Sequence, residues 1–247
     1  MDSVDTHDLI FPYLLRKVTE KAALASYDWI GRGNKEGGDK AAVDSIRVSL
    51  TELKLSGTIV IGEGEKDDAP QLYNGEVFGD RNAAGHLDIA VDPVEGTTFL
   101  AGGQTNAMAV IVTAPKGTMF DPRPAFYMEK FAAPAETRGK IDMGWPTEKK
   151  LQTVARLIEK DLKDLTVFVL DKPRHRGLVE EINEAGARVT LYPAGDVAGA
   201  LMAATPDTDV DVLMGTGGTP EGIISACAIR AMGGEFLGRI NPQLATE

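Results

Sequence analysis

The feature that most constrains the fold is a regular alternation of apolar strands and amphipathic helices in the second half of the chain. The pattern predicts helices over 147–160, 175–185, 196–203 and 220–232, and strands over 166–170, 188–192, 210–214 and 235–240. Strands that alternate with helices form a mostly parallel sheet with helices on both faces. This half of the sequence therefore predicts an α/β domain.

The first half has a different rhythm, in which two helices precede a set of short strands. Apolar residues spaced three and four apart predict one helix that ends at Gly31-Arg32-Gly33 and a second from about Asp39 to Lys54. Strands are predicted over 58–61, 87–91, 107–113 and 125–131. We therefore expect an α+β domain over residues 1–133 and an α/β domain over residues 134–247.

Composition and charge exclude several classes of protein. The chain of 247 residues has 37 acidic and 26 basic side chains, a formal net charge of -11 that argues against nucleic-acid and anionic-membrane surfaces. An anionic substrate stays possible if metal ions supply positive charge. One cysteine, Cys227, allows no intrachain disulfide and is expected in the core. Because residues 1–8 are acidic and no apolar run approaches the roughly 20 residues that span a bilayer, we expect a soluble, cytoplasmic protein.

Two acidic segments concentrate the polar chemistry. Residues 61–70 read IGEGEKDDAP and residues 88–98 read DIAVDPVEGTT, each with carboxylates directly after a short predicted strand. Acidic runs are most often solvated surface. Here both runs adjoin apolar strands and glycines, and carboxylates held close together repel unless a cation neutralises them. Because Mg²⁺ and Mn²⁺ prefer oxygen ligands, the two segments favour a metal site, with Thr97 and Thr98 placed to receive a phosphate.

The two segments together resemble the signature of the class II fructose-1,6-bisphosphatases, a bacterial-type family of the lithium-sensitive, metal-dependent phosphatase superfamily. The DPVEGT motif is shared across the superfamily and indicates the chemistry, whereas GEGEKDDAP is narrower and indicates the family. The resemblance continues over most of the chain, through residues 126–130, 172–175, 195–198 and 217–222. It implies a sugar phosphatase fold of layered sheets and helices, with the active site in the cleft between the halves.

The resemblance also implies a set of metal ligands and catalytic groups. Mg²⁺ or Mn²⁺ would be bound by five carboxylates, those of Asp39, Glu63, Asp92, Glu95 and Glu221. Asp67 and Thr97 would position and activate the water that attacks phosphorus in line with the leaving sugar oxygen. Asp39 and Glu221 are each predicted to open a helix, where a lone acid is more often only a helix-start residue. The three histidines, His7, His86 and His175, are too scattered to predict a zinc site.

Substrate contacts are expected in both halves of the chain. Lys172 and Arg174 follow a predicted strand and would bind the phosphate that is not cleaved. Asp196 would bind sugar hydroxyls or cap its helix, and the glycine-rich loop 215–221 would bring backbone N–H groups to an anion. By resemblance, the substrate-binding residues are Glu95, Gly96, Thr97, Tyr127, Lys172, Pro173, Arg174, Asp196 and Gly218.

The activity that the resemblance implies is hydrolysis of the 1-phosphate of fructose 1,6-bisphosphate in gluconeogenesis, by a dimer or tetramer. Sedoheptulose 1,7-bisphosphate, one carbon unit longer, stays open as the substrate. An inositol or nucleotide monophosphatase would not need Lys172 and Arg174. Two alternatives come from other classes: a non-catalytic sugar-phosphate-binding protein on the same fold, and a dinucleotide-binding module, whose fingerprint is broken where Pro220 replaces a glycine.

Three features depart from the family pattern. Asn34 stands where the family usually carries an acid, close to the expected metal site. Ala194 stands where many relatives have an aspartate that faces the sugar, which bears on substrate preference. Relatives continue beyond the last predicted strand, so the second domain is expected to be incomplete at its C-terminus and to leave a sheet edge exposed.

Overall fold

The computed structural model describes residues 6–62, 71–82 and 85–244, and the chain divides into two compact units, Met1–Asp121 and Pro122–Glu247. The division lies twelve residues before the one predicted at residue 133. It falls there because the strand Tyr127–Ala133, which the sequence analysis assigned to the first domain, pairs on both sides with strands of the second unit.

The first unit packs two long helices on a four-stranded sheet. Its elements are α1 (Thr6–Ser26), α2 (Lys35–Glu52), β1 (Gly57–Ile61), β2 (Val77–Phe78), β3 (Leu87–Glu95), α3 (Thr97–Ala101) and β4 (Met108–Pro115). The strand order is β2-β1-β3-β4, in which β1 and β3 are parallel and the outer strands are antiparallel to their neighbours. The core lies where the apolar stripes of α1 and α2 meet the sheet, and it contains Val18, Ile46, Leu50, Ile59 and Ile89.

Helix α2 begins at Lys35, so the prediction that Asp39 opens it is wrong. The helix starts earlier because Asn34 caps it: the Gly37 amide donates to Asn34 Oδ1 at 2.9 Å. Gly37 and Gly38 lie inside the helix, where a Cβ on Gly37 would come within 2.3 Å of Trp29. The two glycines therefore allow close packing and do not end the helix. Asp39 lies one turn inside α2 and is half-buried.

The second unit is built on a five-stranded sheet. Its elements are β5 (Tyr127–Ala133), α4 (Thr147–Leu157), β6 (Thr166–Leu170), α5 (Arg176–Ala185), β7 (Arg188–Tyr192), α6 (Asp196–Ala204), β8 (Val212–Gly218), α7 (Thr219–Met232) and β9 (Glu235–Ile240). The strand order is β7-β6-β8-β5-β9. The alternating elements match the sequence prediction closely, and three strands have the bounds predicted for them.

The prediction of a mostly parallel sheet is confirmed for the four strands of the alternating pattern, and β5 is the exception. The strands β7, β6 and β8 are parallel, as the alternation with helices predicts. However, β5 is inserted between β8 and β9 in the opposite direction, which makes both of its pairings antiparallel. The protein is therefore a mixed α/β fold with two mixed sheets. The sequence pattern did not reveal the insertion because β5 precedes the alternating run.

Helices cover both faces of the second sheet, as predicted. On one face, α4 and α5 enclose a core that includes Leu151, Val167 and Ile182. On the other, α6 and α7 enclose a core that includes Phe168 and Ile229. Adjacent residues Val167 and Phe168 face opposite sides because side chains alternate along a strand. Across the described residues, no helix combines the length and apolar character needed to cross a membrane.

Candidate active site

A bulge in β3 brings together two of the predicted metal ligands. Asp92 pairs with Val110 of β4 and Glu95 pairs with Met108, so three residues of β3 advance against two of β4. In a regular strand, Asp92 and Glu95 would point to opposite faces. With the extra residue, one carboxylate oxygen from each lies within 4.8 Å of the other. The prediction that both acids follow the strand is wrong, because β3 extends to Glu95.

The turn after Glu95 places the hydroxyl groups of Thr97 and Thr98 directly after these acids in the chain, and Lys35 of α2 contacts one of them. Gly96 has φ +78°, and a Cβ there would lie 2.7 Å from the Phe99 ring, so glycine is required for the turn. Thr97 then begins α3. The ammonium group of Lys35 donates to Thr98 Oγ1 at 2.9 Å. Lys35 was missed by the sequence analysis, because no pattern links the start of α2 to a turn 63 residues later.

Glu63 and Asp67 lie outside the described residues, but the chain on both sides of that segment is well anchored. The Gly62 amide donates to Asn74 Oδ1 at 2.8 Å, and the Leu72 amide donates to Glu76 Oε2 at 2.6 Å. Glu76 is buried and also accepts hydrogen bonds from Arg47 of α2 at 2.9–3.0 Å. Hydrogen bonds therefore connect the described residues on the two sides of the 63–70 segment to nearby side chains, and Glu76 connects one side to α2.

In the second unit, the predicted glycine-rich loop 215–221 is wrong, because residues 215–218 are part of strand β8 and α7 begins at Thr219. The ladder with β5 runs to Gly218, which pairs with Tyr127. Glycine is needed because side chains press against this strand from neighbouring elements. A Cβ would lie 3.1 Å from the His175 ring at Gly215, 2.2 Å from Asp196 Oδ2 at Gly217 and 2.0 Å from Glu221 Oε2 at Gly218.

Glu221 lies in the first turn of α7, which agrees with its predicted place at a helix start. Gly218 is the N-cap residue of the same helix, and its missing side chain leaves room for the Glu221 carboxylate beside the helix N-terminus. Cys227 lies further along α7 and is half-buried, and burial raises the pKa of its thiol. A thiol that ionises less readily is a weaker nucleophile at neutral pH.

Asp196 is the first residue of α6, and its carboxylate is bound by a buried lysine. Lys130 of β5 donates from Nζ to Asp196 Oδ2 at 2.6 Å, and the two side chains are 2% and 9% exposed. A charged pair withdrawn from solvent to this extent is rare unless each charge compensates the other. The sequence analysis gave Lys130 no role. The available signal was a lysine adjoining the apolar run Phe131-Ala132-Ala133, in a strand that pairs with a neighbour on both sides.

The predicted phosphate cations follow β6 and contact neighbouring chain segments. The guanidinium of Arg174 lies over the Tyr127 ring, 5.3 Å from its centroid, and its Nε donates to the Thr216 carbonyl at 2.9 Å. Lys172 Nζ donates to the Pro193 carbonyl at 2.8 Å. The structure thus brings Tyr127 and Arg174 together, as their shared assignment to substrate binding requires. Pro173 starts the short 3₁₀ turn that carries Arg174 and ends at His175.

A comparison with known protein families identifies the family of this chain. The family described as "Bacterial fructose-1,6-bisphosphatase, glpX-encoded" matches residues 11–247. The chain belongs to this family. The resemblance to class II fructose-1,6-bisphosphatases that the two acidic motifs indicated is thereby confirmed.

Individual members of the glpX-encoded fructose-1,6-bisphosphatase family are similar over most of the chain. "Fructose-1,6-bisphosphatase 1 class 2" of Escherichia coli (strain K12) is 47% identical over 224 residues, and "Fructose-1,6-bisphosphatase class 2" of Shigella flexneri has the same identity. The alignments cover 91% of this chain and 66% of each relative, so the chain spans just under two thirds of their length. Among solved structures, an extragenic suppressor from Pyrococcus furiosus matches with a TM-score of 0.41 and 14% identity, covering 78% of this chain and 70% of that chain.

The carboxylates that the bulge brings together in the first unit suit a hard divalent cation. Asp92 and Glu95 offer only carboxylate oxygens, and their mutual distance lets one ion contact both. Glu95 is 5% exposed, so its charge is withdrawn from water. A buried carboxylate beside a second carboxylate is an arrangement that a cation stabilises.

Proposed function

We propose that this chain hydrolyses the 1-phosphate of fructose 1,6-bisphosphate in a metal-dependent reaction, releasing fructose 6-phosphate and inorganic phosphate. The observation that supports the proposal most strongly is the bulge at the end of β3. It brings the Asp92 and Glu95 carboxylates together directly before the Gly96-Thr97-Thr98 turn. Membership in the fructose-1,6-bisphosphatase family supports the identity of the substrate.

The proposed metal ligands are Asp39, Glu63, Asp92, Glu95 and Glu221, which would bind Mg²⁺ or Mn²⁺. A divalent cation, when bound, would neutralise charge on the phosphoryl oxygens as the P–O bond breaks. Two features of the chain support the assignment. Gly218 leaves space for the Glu221 carboxylate, and the cap at Asn34 extends α2 so that Asp39 lies on its second turn.

The 1-phosphate would lie at the turn that follows β3. Glu95, Gly96 and Thr97 would contact it, and the Lys35 ammonium beside Thr98 would add positive charge. Asp67 and Thr97 would orient and activate the attacking water, which approaches phosphorus opposite the sugar oxygen.

The second phosphate and the sugar would be bound by the second unit. Lys172 and Arg174, followed by the buried His175, form a cationic segment that suits a phosphate not being cleaved. Arg174 uses Nε on Thr216, and among the described residues its terminal amino groups donate no hydrogen bond, so both can meet phosphate oxygens. Asp196, Tyr127, Pro173 and Gly218 complete the proposed substrate contacts.

The proposal extends to the setting of the reaction. Following the resemblance, we place the enzyme in the cytoplasm, in gluconeogenesis and in glycerol metabolism, as a homo-oligomer. The acidic net charge of -11 supports small-molecule substrates over nucleic acids.

The decisive experiment is phosphate release by the 247-residue chain with Mg²⁺, with Mn²⁺ and with EDTA. Fructose 1,6-bisphosphate would be compared with sedoheptulose 1,7-bisphosphate, fructose 6-phosphate and inositol 1-phosphate. The Asp92→Asn variant keeps the acceptor for the Val94 amide and removes the charge, and Asp44→Asn, whose carboxylate pairs with Lys40 on the surface of α2, is its matched control.

We expect metal-dependent release from fructose 1,6-bisphosphate that the Asp92→Asn variant loses and the Asp44→Asn variant keeps. Faster release from sedoheptulose 1,7-bisphosphate would correct the substrate and leave the chemistry in place. Folded protein that releases no phosphate with either metal would overturn the proposal. Thermal stabilisation by the sugar bisphosphate would then favour a binding protein.

A further inference from the structure

We infer that His175 is a positioning residue that fixes Arg174 for phosphate binding, acting through the backbone of Thr216; this inference rests on the proposed function of Arg174. His175 is adjacent to Arg174 in sequence, and it contacts strand β8 at the same residue that Arg174 contacts. Thr216 therefore links the two side chains.

The hydrogen bonds of His175 determine which ring nitrogen carries the proton. Nδ1 lies 2.7 Å from the Leu170 carbonyl, which only accepts, so Nδ1 is the donor. Nε2 lies 2.8 Å from the Thr216 amide nitrogen and 3.1 Å from the Thr216 carbonyl. In the neutral ring with a proton on Nδ1, Nε2 accepts from the Thr216 amide. The ring is 4% exposed, and burial lowers its pKa, which favours the neutral form.

The His175 ring forms a hydrogen-bonded bridge between Leu170 and Thr216. This bridge lies where the parallel ladder between β6 and β8 has ended. The ladder pairs Val167 with Val212 and Phe168 with Leu213. Beyond it, the His175 ring joins Leu170, the last residue of β6, to Thr216 of β8. Gly215 makes room for the ring: its φ is +142°, and a Cβ would lie 3.1 Å from Nε2. The imidazole thus replaces a hydrogen-bonded link that the strands do not provide there.

Thr216 is held at each of its polar groups. Its amide donates to His175, its carbonyl accepts from Arg174 Nε at 2.9 Å, and its Oγ1 accepts from Asn241 at 2.9 Å. The guanidinium of Arg174 is therefore fixed at Nε by Thr216 and on one face by the Tyr127 ring. A side chain held at two points loses little freedom when it binds a phosphate, which raises affinity.

The bridge can be tested by changing one half of the imidazole at a time. In His175→Gln the amide oxygen reaches the position of Nε2 and can accept from the Thr216 amide. In His175→Asn the amide nitrogen can still donate towards Leu170, but the acceptor for Thr216 is gone. Both variants are neutral and polar, so they form a matched pair. Arg174→Ala is the reference for complete loss of the phosphate contact.

We expect His175→Asn to raise KM for fructose 1,6-bisphosphate about tenfold with kcat within about twofold, since one buried hydrogen bond is worth roughly that factor. The phosphate that Arg174 binds is not transferred, so the loss falls on binding. His175→Gln should recover most of the affinity. Equal KM values for His175→Asn, His175→Gln and the wild type would overturn the inference. A His175→Asn variant that lowers only kcat would also overturn it.

A second measurement is independent of activity. The ¹⁵N shifts of the His175 ring at neutral pH should show a protonated Nδ1 and an unprotonated Nε2. The opposite tautomer, or a cationic ring, would overturn the inference even if both variants fold poorly. If the wild type releases no phosphate, the proposed function has failed. If the wild type is active and Arg174→Ala loses affinity while His175→Asn does not, only the role of His175 has failed.

Discussion

The Lys130 ammonium and the Asp196 carboxylate form a buried ion pair at 2.6 Å, between the interior strand β5 and the first residue of α6. The sequence analysis expected Asp196 to bind sugar hydroxyls or to cap its helix. In the structure, Lys130 fixes the orientation of this carboxylate from inside the fold. Both charges are withdrawn from water, so each depends on the other for compensation.

Replacing Lys130 by Met should therefore destabilise the protein strongly, by about 3–5 kcal/mol, because Asp196 would stay buried without its cation. Chemical unfolding followed by circular dichroism measures the effect. The matched control is Lys40→Met, which breaks an exposed pair with Asp44 and should cost about 0.5 kcal/mol or less. Similar losses in the two variants would contradict a compensating role for Lys130.

Gly217→Ala tests the close packing of β8 against the same pair. The added Cβ would lie 2.2 Å from Asp196 Oδ2 and 3.0 Å from Lys130 Nζ, so we expect a loss of about 1–3 kcal/mol. Gly177→Ala is the control, because no atom lies within 4 Å of its Cβ and it belongs to α5. Alanine there should be neutral or stabilising by up to about 1 kcal/mol. Unfolding curves that rank the two variants in the reverse order would refute the packing argument.

Metal binding should stabilise the folded chain. If Asp92 and Glu95 hold a divalent cation, Mn²⁺ will raise the melting temperature, and EDTA will reverse the shift. Asp92→Asn should abolish most of this shift without unfolding the protein, because the amide oxygen can still accept from the Val94 amide. Calorimetry without substrate gives this result independently of activity. An unchanged shift in the variant would place the ion elsewhere.

Acid should weaken the fold through His175. Burial lowers the pKa of this residue below 6.5, its ordinary value; nearby Arg174 lowers it further, and Asp196 opposes that effect. The unfolded chain therefore binds more protons than the native one as pH falls below 6.5, so the free energy of unfolding decreases there. His175→Gln cannot titrate. We expect the difference in free energy of unfolding between the wild type and this variant, measured by urea unfolding, to be constant above about pH 7.5. At lower pH the wild type should lose free energy of unfolding relative to the variant.

Asn34 offers a test of the helix cap at a position where the family resemblance leads us to expect an acid. Its side chain caps α2 by accepting from the Gly37 amide. Asn34→Ala should cost about 1 kcal/mol through loss of this cap. Asn34→Asp keeps the acceptor and places a negative charge at the helix N-terminus, so its melting temperature should equal or exceed that of the wild type. A loss in Asn34→Asp as large as in Asn34→Ala would show that the cap is not the reason for the effect.

Much of the local structure could be predicted from the sequence. Strand–helix alternation located every element of the second unit from α4 onward, and three strands were predicted with their observed bounds, because apolar periodicity is a local property. The family was indicated by two short motifs.

Long-range arrangement could not be predicted in the same way. The start of α2 was misplaced because the apolar spacing that predicts the helix begins only at Val43, whereas the first turn contains Gly37 and Gly38, which pack against Trp29 and Leu100. The run 215–218 suggested a loop because glycine is common in loops, whereas β5 pairs with it along its whole length. In both cases the glycines admit side chains that are distant in sequence.

The sequence by itself determined which elements form, which acids accompany the phosphatase motifs and which family the chain resembles. The tertiary structure alone decided that a bulge against β4 brings Asp92 and Glu95 to one side, that Lys130 compensates Asp196 and that Thr216 joins His175 to Arg174. The physical reason is the range of the interactions. Periodicity and turns depend on neighbours along the chain, whereas ion pairs, bulges and buried hydrogen bonds depend on residues that only folding brings together.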